Sequence, residues 1–197
     1  MTERIAATGI VLAGGRSRRF GGDKLGVEID GRTILDRAIA AVAEVCSEVL
    51  VVCAPGASPH LAPQPGIALT IVHDPESFGG PLVGLGAALA VATRSVALVV
   101  GGDMPSLVPA VLRAMLGALS EGRPAVTLEV PGRIQPLPMA LAVDPARLAR
   151  ARVRERGGRA LRDLLADLGA SALPAQAWLA LDPASATIRD VDRPDDL

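Results

Sequence analysis

Aromatic residues are scarce in this sequence of 197 residues, which has two Phe, one Trp and no Tyr. Half of the residues are nonetheless hydrophobic, and the mean hydropathy is +0.39. The core must therefore be built from Ala, Val, Leu and Ile, and the chain is long enough to bury a sizeable one. We interpret residues 1–197 as a single domain.

A charge excess of one sign is also lacking. The 20 Lys and Arg residues balance 21 Asp and Glu, and the formal net charge is −1. Proteins that bind nucleic acid or membrane surfaces non-specifically need a large basic excess, so we expect neither partner. No uncharged apolar run reaches the roughly 18 residues of a membrane span, and the start MTERIAATG lacks the apolar core of a signal peptide.

Cysteine is rare as well. Cys46 is expected on a helix and Cys53 on the following strand, and the two have no metal-ligand spacing. Two buried thiols are typical of a reducing compartment. We therefore expect a cytoplasmic protein.

Short apolar runs alternate with amphipathic stretches. The runs read as buried parallel strands, at 8–13, 48–54, 68–73, 95–102 and 124–130. The amphipathic stretches predict helices over 33–45 with Thr33 as N-cap, over 81–93 from Pro81, and over 106–119 with Ser106 as N-cap. This alternation predicts an α/β sandwich with a mainly parallel sheet.

The remaining segments complete the predicted outline, in the following order. Residues 27–33 read as a small hairpin and 55–67 as a Pro- and Gly-rich loop. Residues 139–143 read as a further, antiparallel strand, and 145–168 as two helical pieces broken at Gly157–Gly158. The tail reads as a short strand followed by a helix start at Pro194.

The segment LAGGRSRRFGGDK, residues 12–24, follows a predicted strand and holds four glycines, three arginines and a lysine. Glycine lets backbone N–H groups approach a bulky anion, and the cations can neutralise phosphate charge. The segment has neither the Gly-Lys-Ser/Thr ending of a Walker A loop nor the G-x-G-x-x-G spacing of a dinucleotide fingerprint. It predicts a polyphosphate site with Arg19 and Lys24 as cations, and its length favours a triphosphate.

Two acidic residues follow predicted strands. Asp103 comes after VVGG and Asp74 after IVH. Ligands of open α/β sheets bind outside the carboxyl ends of the strands, and a carboxylate there can hold Mg²⁺. Asp103 could instead be a helix cap or turn residue. Together with the glycine-rich segment it favours a magnesium site.

The motif L-A-G-G-x-S-x-R-[M/F]-G-x-D-K resembles the signature of the molybdenum cofactor guanylyltransferases, in the nucleotidyltransferase superfamily. The matching residues are Leu12, Ala13, Gly14, Gly15, Ser17, Arg19, Phe20, Gly21, Asp23 and Lys24. Asp103-Met104-Pro105 resembles the family's D-x-P, and GGPLVGL its G-P-L-x-G-L. The resemblance implies a Rossmann-like nucleotidyltransferase fold, a three-layer α/β/α sandwich with a mostly parallel sheet.

The resemblance also implies an activity, transfer of GMP from GTP to the terminal phosphate of molybdopterin with Mg²⁺ on Asp103. It assigns catalysis to Arg19, Lys24 and Asp103. It assigns nucleotide binding to Leu12, Ala13, Gly14, Gly15, Lys24, Cys53, Asp74 and Asp103, with Cys53 standing where the family often has Asn. Transient contacts with other cofactor-biosynthesis proteins are implied as well.

The resemblance places the acceptor cleft in residues 130–197. The matching residues there are Gln135, Pro136, Leu137, Arg159, Asp190 and Asp192. Arg159 is a candidate for the acceptor phosphate, and the other arginines of 147–162 are assigned to solvent. The role of Asp190 stays open, and so does that of Asp192, which could be a second carboxylate near the magnesium although the sequence cannot bring it near Asp103.

Two alternatives remain. The first is a sibling enzyme such as a cytidylyltransferase, although such siblings tend to carry L-A-A-G and Pro-Lys where this chain has Gly14-Gly15 and Asp23-Lys24. The second is a non-catalytic GTP-binding regulatory protein. Retention of Arg19, Lys24 and Asp103 together counts against it, because a sensor could lose any of them.

Overall fold

A computed structural model of the protein describes residues 3–14, 24–76, 79–119 and 123–196. Its strands are β1 (Ile5–Leu12), β2 (Glu28–Ile29), β3 (Arg32–Thr33), β4 (Cys46–Cys53), β5 (Leu69–His73), β6 (Val96–Gly101), β7 (Ala125–Val130), β8 (Arg133–Ala142) and β9 (Ser171–Leu173). Its α-helices are α1 (Ile34–Val45), α2 (Pro81–Val91), α3 (Pro109–Leu119), α4 (Val143–Glu155), α5 (Leu161–Asp167) and α6 (Ala175–Leu179).

The main sheet has seven strands in the order β5-β4-β1-β6-β8-β7-β9. The pairs β5–β4, β4–β1 and β1–β6 are parallel, while β8 is antiparallel to both β6 and β7. The strand predicted at 139–143 corresponds to β8, which is antiparallel as expected but begins at Arg133 rather than at residue 139. The predicted mostly parallel sheet is confirmed.

Helices cover both faces of this sheet. One buried cluster joins α1 and α3 to one face, and Trp178 of α6 belongs to it. A second cluster joins α2, α4 and α5 to the other face. Alternate residues of the central strands enter the two clusters, since successive side chains of a strand point to opposite faces. The result is the predicted three-layer α/β/α sandwich.

Among the described residues, no helix combines the length and the apolar character that crossing a bilayer requires.

Gly9 lets α1 approach the centre of the sheet. A Cβ built on Gly9 would overlap Cγ1 of Val42, whose side chain is fully buried. We expect Gly9→Ala to destabilise the protein by about 1–3 kcal/mol, the usual cost of overpacking a core. Urea unfolding measures the change. Gly117→Ala is the matched control, because Gly117 is exposed on α3 with nothing within 4 Å of the added carbon. This control should be neutral or stabilising, and equal losses in both variants would contradict the packing argument.

The predicted beginning of α1 is confirmed. Thr33 is its N-cap, and the Thr33 hydroxyl accepts a hydrogen bond from Asp36 N at 3.0 Å. The preceding residues form the predicted hairpin, in which β2 pairs antiparallel with β3.

The predicted N-cap of α3 is wrong, because the helix begins at Pro109 and Ser106 lies in a turn before it. The N–H of Val108 donates to the hydroxyl of Thr187 at 3.1 Å, so a residue of the distant C-terminal segment satisfies a backbone donor there. The strand predicted in that segment is wrong, because a 3-10 helix forms at Ala186–Ile188 instead. The helix start predicted at Pro194 is confirmed as a short 3-10 helix, Pro194–Asp196.

Cys46 and Cys53 both lie on β4 rather than on a helix and a strand, because α1 ends at Val45. Both are free thiols, exposed by 0% and 2%. Burial raises the pKa of Cys46 to about 12 and also raises that of Cys53.

We expect a thiol-specific reagent at pH 8 to modify neither cysteine in the folded protein, because only an accessible thiolate reacts. Mass spectrometry should show both modified after unfolding in urea. Rapid labelling of the native protein at either position would contradict the packing of β4.

Candidate active site

Four parallel strands end at the same edge of the sheet, and the predicted site residues follow them. Ala13 and Gly14 follow β1, Asp74 follows β5, and Asp103 comes two residues after β6. Because β1 lies between β4 and β6, its loop emerges at the centre of this edge. Open α/β sheets bind their ligands at such positions.

Backbone hydrogen bonds fix the start of the glycine-rich segment. Ala13 N donates to Val52 O at 2.8 Å, and Gly102 N donates to Leu12 O at 2.9 Å. A Cβ on Gly102 would lie 3.2 Å from Leu12 O and 3.3 Å from Ala13 Cα, so glycine is needed for this approach. Leu12, Ala13 and Gly14 thus lie between the loops that follow β4 and β6.

Gly15 and Arg19 fall within residues 15–23, which lie outside the described part of the chain. Their predicted roles stay predictions.

Lys24 is the only lysine of the sequence, and it contacts the predicted magnesium ligand. Its Nζ lies 2.8 Å from Asp103 Oδ2 and 3.4 Å from Asp192 Oδ1. The Lys24 side chain is only 12% exposed. Although burial alone would lower its pKa, the hydrogen bond and charge of Asp103, followed by those of Asp192, raise the pKa of Lys24 above its usual value. The ammonium group is therefore charged at physiological pH.

Asp103, Asp190 and Asp192 form an acidic cluster, in which one carboxylate oxygen from each residue lies within 4.8 Å of the others. Val191 N donates to Asp103 O at 2.9 Å, and this bond brings the C-terminal segment to the edge of the sheet. Partial burial, with the charges of Asp103 and Asp192, raises the pKa of Asp190. Carboxylate oxygens are the ligands that Mg²⁺ prefers, so this donor set fits the ion. The sequence predicted Asp103 here but did not assign the other two to the metal.

Asp74 lies in the turn that follows β5, and its carboxylate reaches α2. Its N–H donates to Cys53 O at 2.9 Å, and its Oδ1 accepts a hydrogen bond from Glu76 N at 3.0 Å. Oδ2 lies 3.4 Å from the position of a Cβ on Gly84. A glycine in α2 thus leaves room for the carboxylate of Asp74.

The side chain of Cys53 turns away from this edge. Cys53 is 2% exposed, and its thiol belongs to the buried cluster beneath α1 and α3. At this position the edge of the sheet therefore presents backbone rather than a side chain, and the predicted role of Cys53 stays a prediction.

The acceptor-side residues do not gather in one place. Gln135 lines a cavity of about 360 Å³ between β7 and α5, together with Arg162 and Leu165. Arg159 is exposed, and its carbonyl oxygen lies 3.5 Å from the position of a Cβ on Gly80. Asp190 and Asp192 lie in the acidic cluster instead.

The assignment of the α4 arginines to solvent is wrong for Arg147 and Arg150, whereas the side chains of Arg152 and Arg156 are 52% and 63% exposed. Arg147 donates to Leu89 O and Ala92 O, and Arg150 donates to Leu82 O, which ties α4 to the carbonyl groups of α2. Arg152 and Arg156 bind Asp167, Arg154 binds Glu76, and Arg162 lies 4.0 Å from Asp163.

This fold, with a lysine and three carboxylates at the carboxyl edge of its sheet, is that of a nucleotidyltransferase. Residues 9–173 match the family model described as the MobA-like NTP transferase domain. The chain is also 32% identical to a probable molybdenum cofactor guanylyltransferase of Chloroflexus aggregans, over 100% of this chain and 94% of that protein. A relative of the same description from Mycobacterium avium is 30% identical over 91% of this chain and 92% of its own length. The chain therefore belongs to the MobA-like NTP transferase family.

Solved structures agree on the fold. The molybdopterin-guanine dinucleotide biosynthesis protein A of Archaeoglobus fulgidus superposes with a TM-score of 0.78 at 22% identity, covering 96% of this chain and 94% of that one. The 2-C-methyl-D-erythritol 4-phosphate cytidylyltransferase of Thermus thermophilus gives a TM-score of 0.69 at 20% identity, covering 95% and 93%.

Proposed function

We propose that this protein transfers GMP from GTP to the terminal phosphate of molybdopterin and releases pyrophosphate, forming a guanine dinucleotide cofactor. Membership of the family and relatives named molybdenum cofactor guanylyltransferase support this activity. The observation that carries it in this chain is the contact of Lys24 with Asp103 at the carboxyl edge of the sheet.

In the proposed reaction a phosphate oxygen of the acceptor forms a bond to the α-phosphorus of GTP. The bond from that phosphorus to the bridging oxygen of the leaving pyrophosphate breaks. The attacking phosphate is already ionised at pH 7, so the step needs no general base, and catalysis rests on positioning and charge stabilisation. Lys24, with the predicted Arg19, stabilises charge that develops on the triphosphate.

Asp103 is the proposed magnesium ligand, and the neighbouring Asp190 and Asp192 supply further oxygen atoms. When bound there, Mg²⁺ would neutralise charge on the phosphates. We further propose that residues Leu12 to Gly15 bind the triphosphate and that Asp74 helps to bind GTP.

Further proposals concern the surroundings of the enzyme. We keep the cytoplasm as its compartment because Cys46 and Cys53 are free thiols. Its proposed partners are GTP and molybdopterin, with transient contacts to other cofactor-biosynthesis proteins and no nucleic acid or membrane.

A turnover assay tests the proposed activity. The protein is incubated with Mg²⁺, molybdopterin and either GTP, CTP or ATP, and released pyrophosphate is measured. Release with GTP that depends on molybdopterin supports the proposal. Preference for CTP would identify a sibling cytidylyltransferase instead. Binding of GTP in calorimetry without any pyrophosphate release would identify a regulatory protein.

A further inference from the structure

Three arginines on α4 face the helix and the turn that follow β5. Arg147 donates to Leu89 O at 2.9 Å and Arg150 to Leu82 O at 3.2 Å, both on α2. A Cβ on Gly86 would overlap the guanidinium of Arg150, so a glycine of α2 makes room for this contact. Arg154 continues the row one turn further along α4 and reaches beyond the beginning of α2.

The partner of Arg154 belongs to the turn that carries Asp74. Arg154 Nη2 lies 3.2 Å from Glu76 Oε1. The N–H of the same Glu76 donates to Asp74 Oδ1 at 3.0 Å, and its carbonyl oxygen accepts from Gly79 N at 3.3 Å. Glu76 therefore joins the α4 helix, the Asp74 carboxylate and the approach to α2 through three separate groups.

We propose that Arg154 is a positioning residue for the nucleotide, because its ion pair with Glu76 holds the Asp74 carboxylate in place. This inference rests on the proposed role of Asp74 in binding GTP. Rotation of Asp74 would break the hydrogen bond from Glu76 N, and displacement of Glu76 would remove that donor. Without Arg154, the ion pair that fixes Glu76 to α4 is lost, and the turn that carries Asp74 is free to shift relative to α4.

The expected effect is on GTP binding rather than on the chemical step. Arg154 and Glu76 are 32% and 53% exposed, so their ion pair is partly screened by water. Arg154→Ala should raise the KM for GTP by about two- to five-fold and leave kcat unchanged. Glu76→Gln should do the same, and the double variant should add little, because either change alone breaks the pair. Arg154→Lys should restore most of the affinity.

Arg152→Ala is the matched control. Arg152 lies on the same helix and binds Asp167 of α5, away from the Asp74 turn. The Arg152→Ala variant should have an unchanged KM for GTP, even if thermal unfolding shows that it is less stable than the wild-type protein. Calorimetric titration with GTP then gives the dissociation constant of each variant directly.

The outcomes separate the two proposals. No GTP binding by the wild-type protein would overturn the proposed function together with this inference. Normal wild-type turnover with an unchanged KM in Arg154→Ala would overturn the inference alone. Equal rises in KM in the Arg152 and Arg154 variants would show a general loss of stability and would also overturn it.

Discussion

Replacing Lys24 by Ala is expected to lower the turnover of GTP by about 100-fold or more, the usual cost of removing one preorganised donor from a site where charge develops. The Lys24 ammonium is charged, largely buried and held 2.8 Å from Asp103 at the edge where the triphosphate is expected. Steady-state release of pyrophosphate with saturating GTP and Mg²⁺ measures the effect. Arg19→Ala should give a loss of similar size.

Two controls sharpen this prediction. Lys24→Met keeps most of the side-chain stem and loses the charge, so it should be as inactive as Lys24→Ala if charge is what matters. Because Lys24 is the only lysine, an amine-specific reagent can modify one side chain and the N-terminus alone. Lys24 should react more slowly than the N-terminus even without nucleotide, because its ammonium is largely buried and its pKa is raised, and mass spectrometry measures both rates. Near-normal turnover in the Lys24 and Arg19 variants would remove both from the catalytic machinery.

The central strands could be predicted because each buried parallel strand is a short, nearly continuous apolar run bounded by turn residues. Runs of this kind correspond to the buried strands β1, β4 and β6. The run predicted at 68–73 does form a parallel strand, β5, but it lies at the edge of the sheet and none of its residues is buried, so the prediction of burial is wrong there. The beginning of α1 could also be predicted, because Thr33 caps it through a local hydrogen bond. The beginning of α3 could not be predicted in this way, since the group that bonds Val108 N is the hydroxyl of Thr187, a residue of the last segment of the chain.

The predictions for the site divide along the same line. Asp74 and Asp103 could be placed because each comes within two residues of the end of its strand, and position relative to a strand end is a local property. Bringing Asp192 beside Asp103 involves long-range contacts, among them the backbone bond from Val191 N to Asp103 O and the pairing of Asp192 with Lys24. The hydrophobic periodicity of a sequence does not predict such contacts. Only the resemblance of the C-terminal motif to that of the family indicated that this segment lies near the site.

The arginines of α4 show a second limit. A helix face rich in Arg usually indicates a solvated surface. Here Arg147 and Arg150 donate to backbone carbonyl oxygens of α2, and every residue type carries such an acceptor. The sequence signal that could have found one of these contacts is Gly86, whose missing side chain admits the guanidinium of Arg150.

Replacing Asp103 by Asn is expected to raise the magnesium concentration needed for half-maximal turnover by about tenfold or more. Loss of an outer partner of a metal site already costs on the order of 10- to 100-fold in affinity, and here the charge of a proposed direct ligand is removed. The variant keeps the size of the side chain, so the bond from Val191 N to Asp103 O should survive and hold the C-terminal segment in place. Magnesium titration of pyrophosphate release measures the change.

Asp144→Asn is the matched control for Asp103, because Asp144 is an 83% exposed carboxylate that pairs with Arg147 far along the chain from the cluster. Its magnesium titration should match that of the wild-type protein. Asp190→Asn and Asp192→Asn distinguish one ligand from a shared site. If all three carboxylates hold the ion, each should shift the titration in the same direction, with Asp103 giving the largest shift. A titration unchanged by Asp103→Asn would exclude Asp103 as a magnesium ligand. The role left for its carboxylate would then be the ion pair with Lys24.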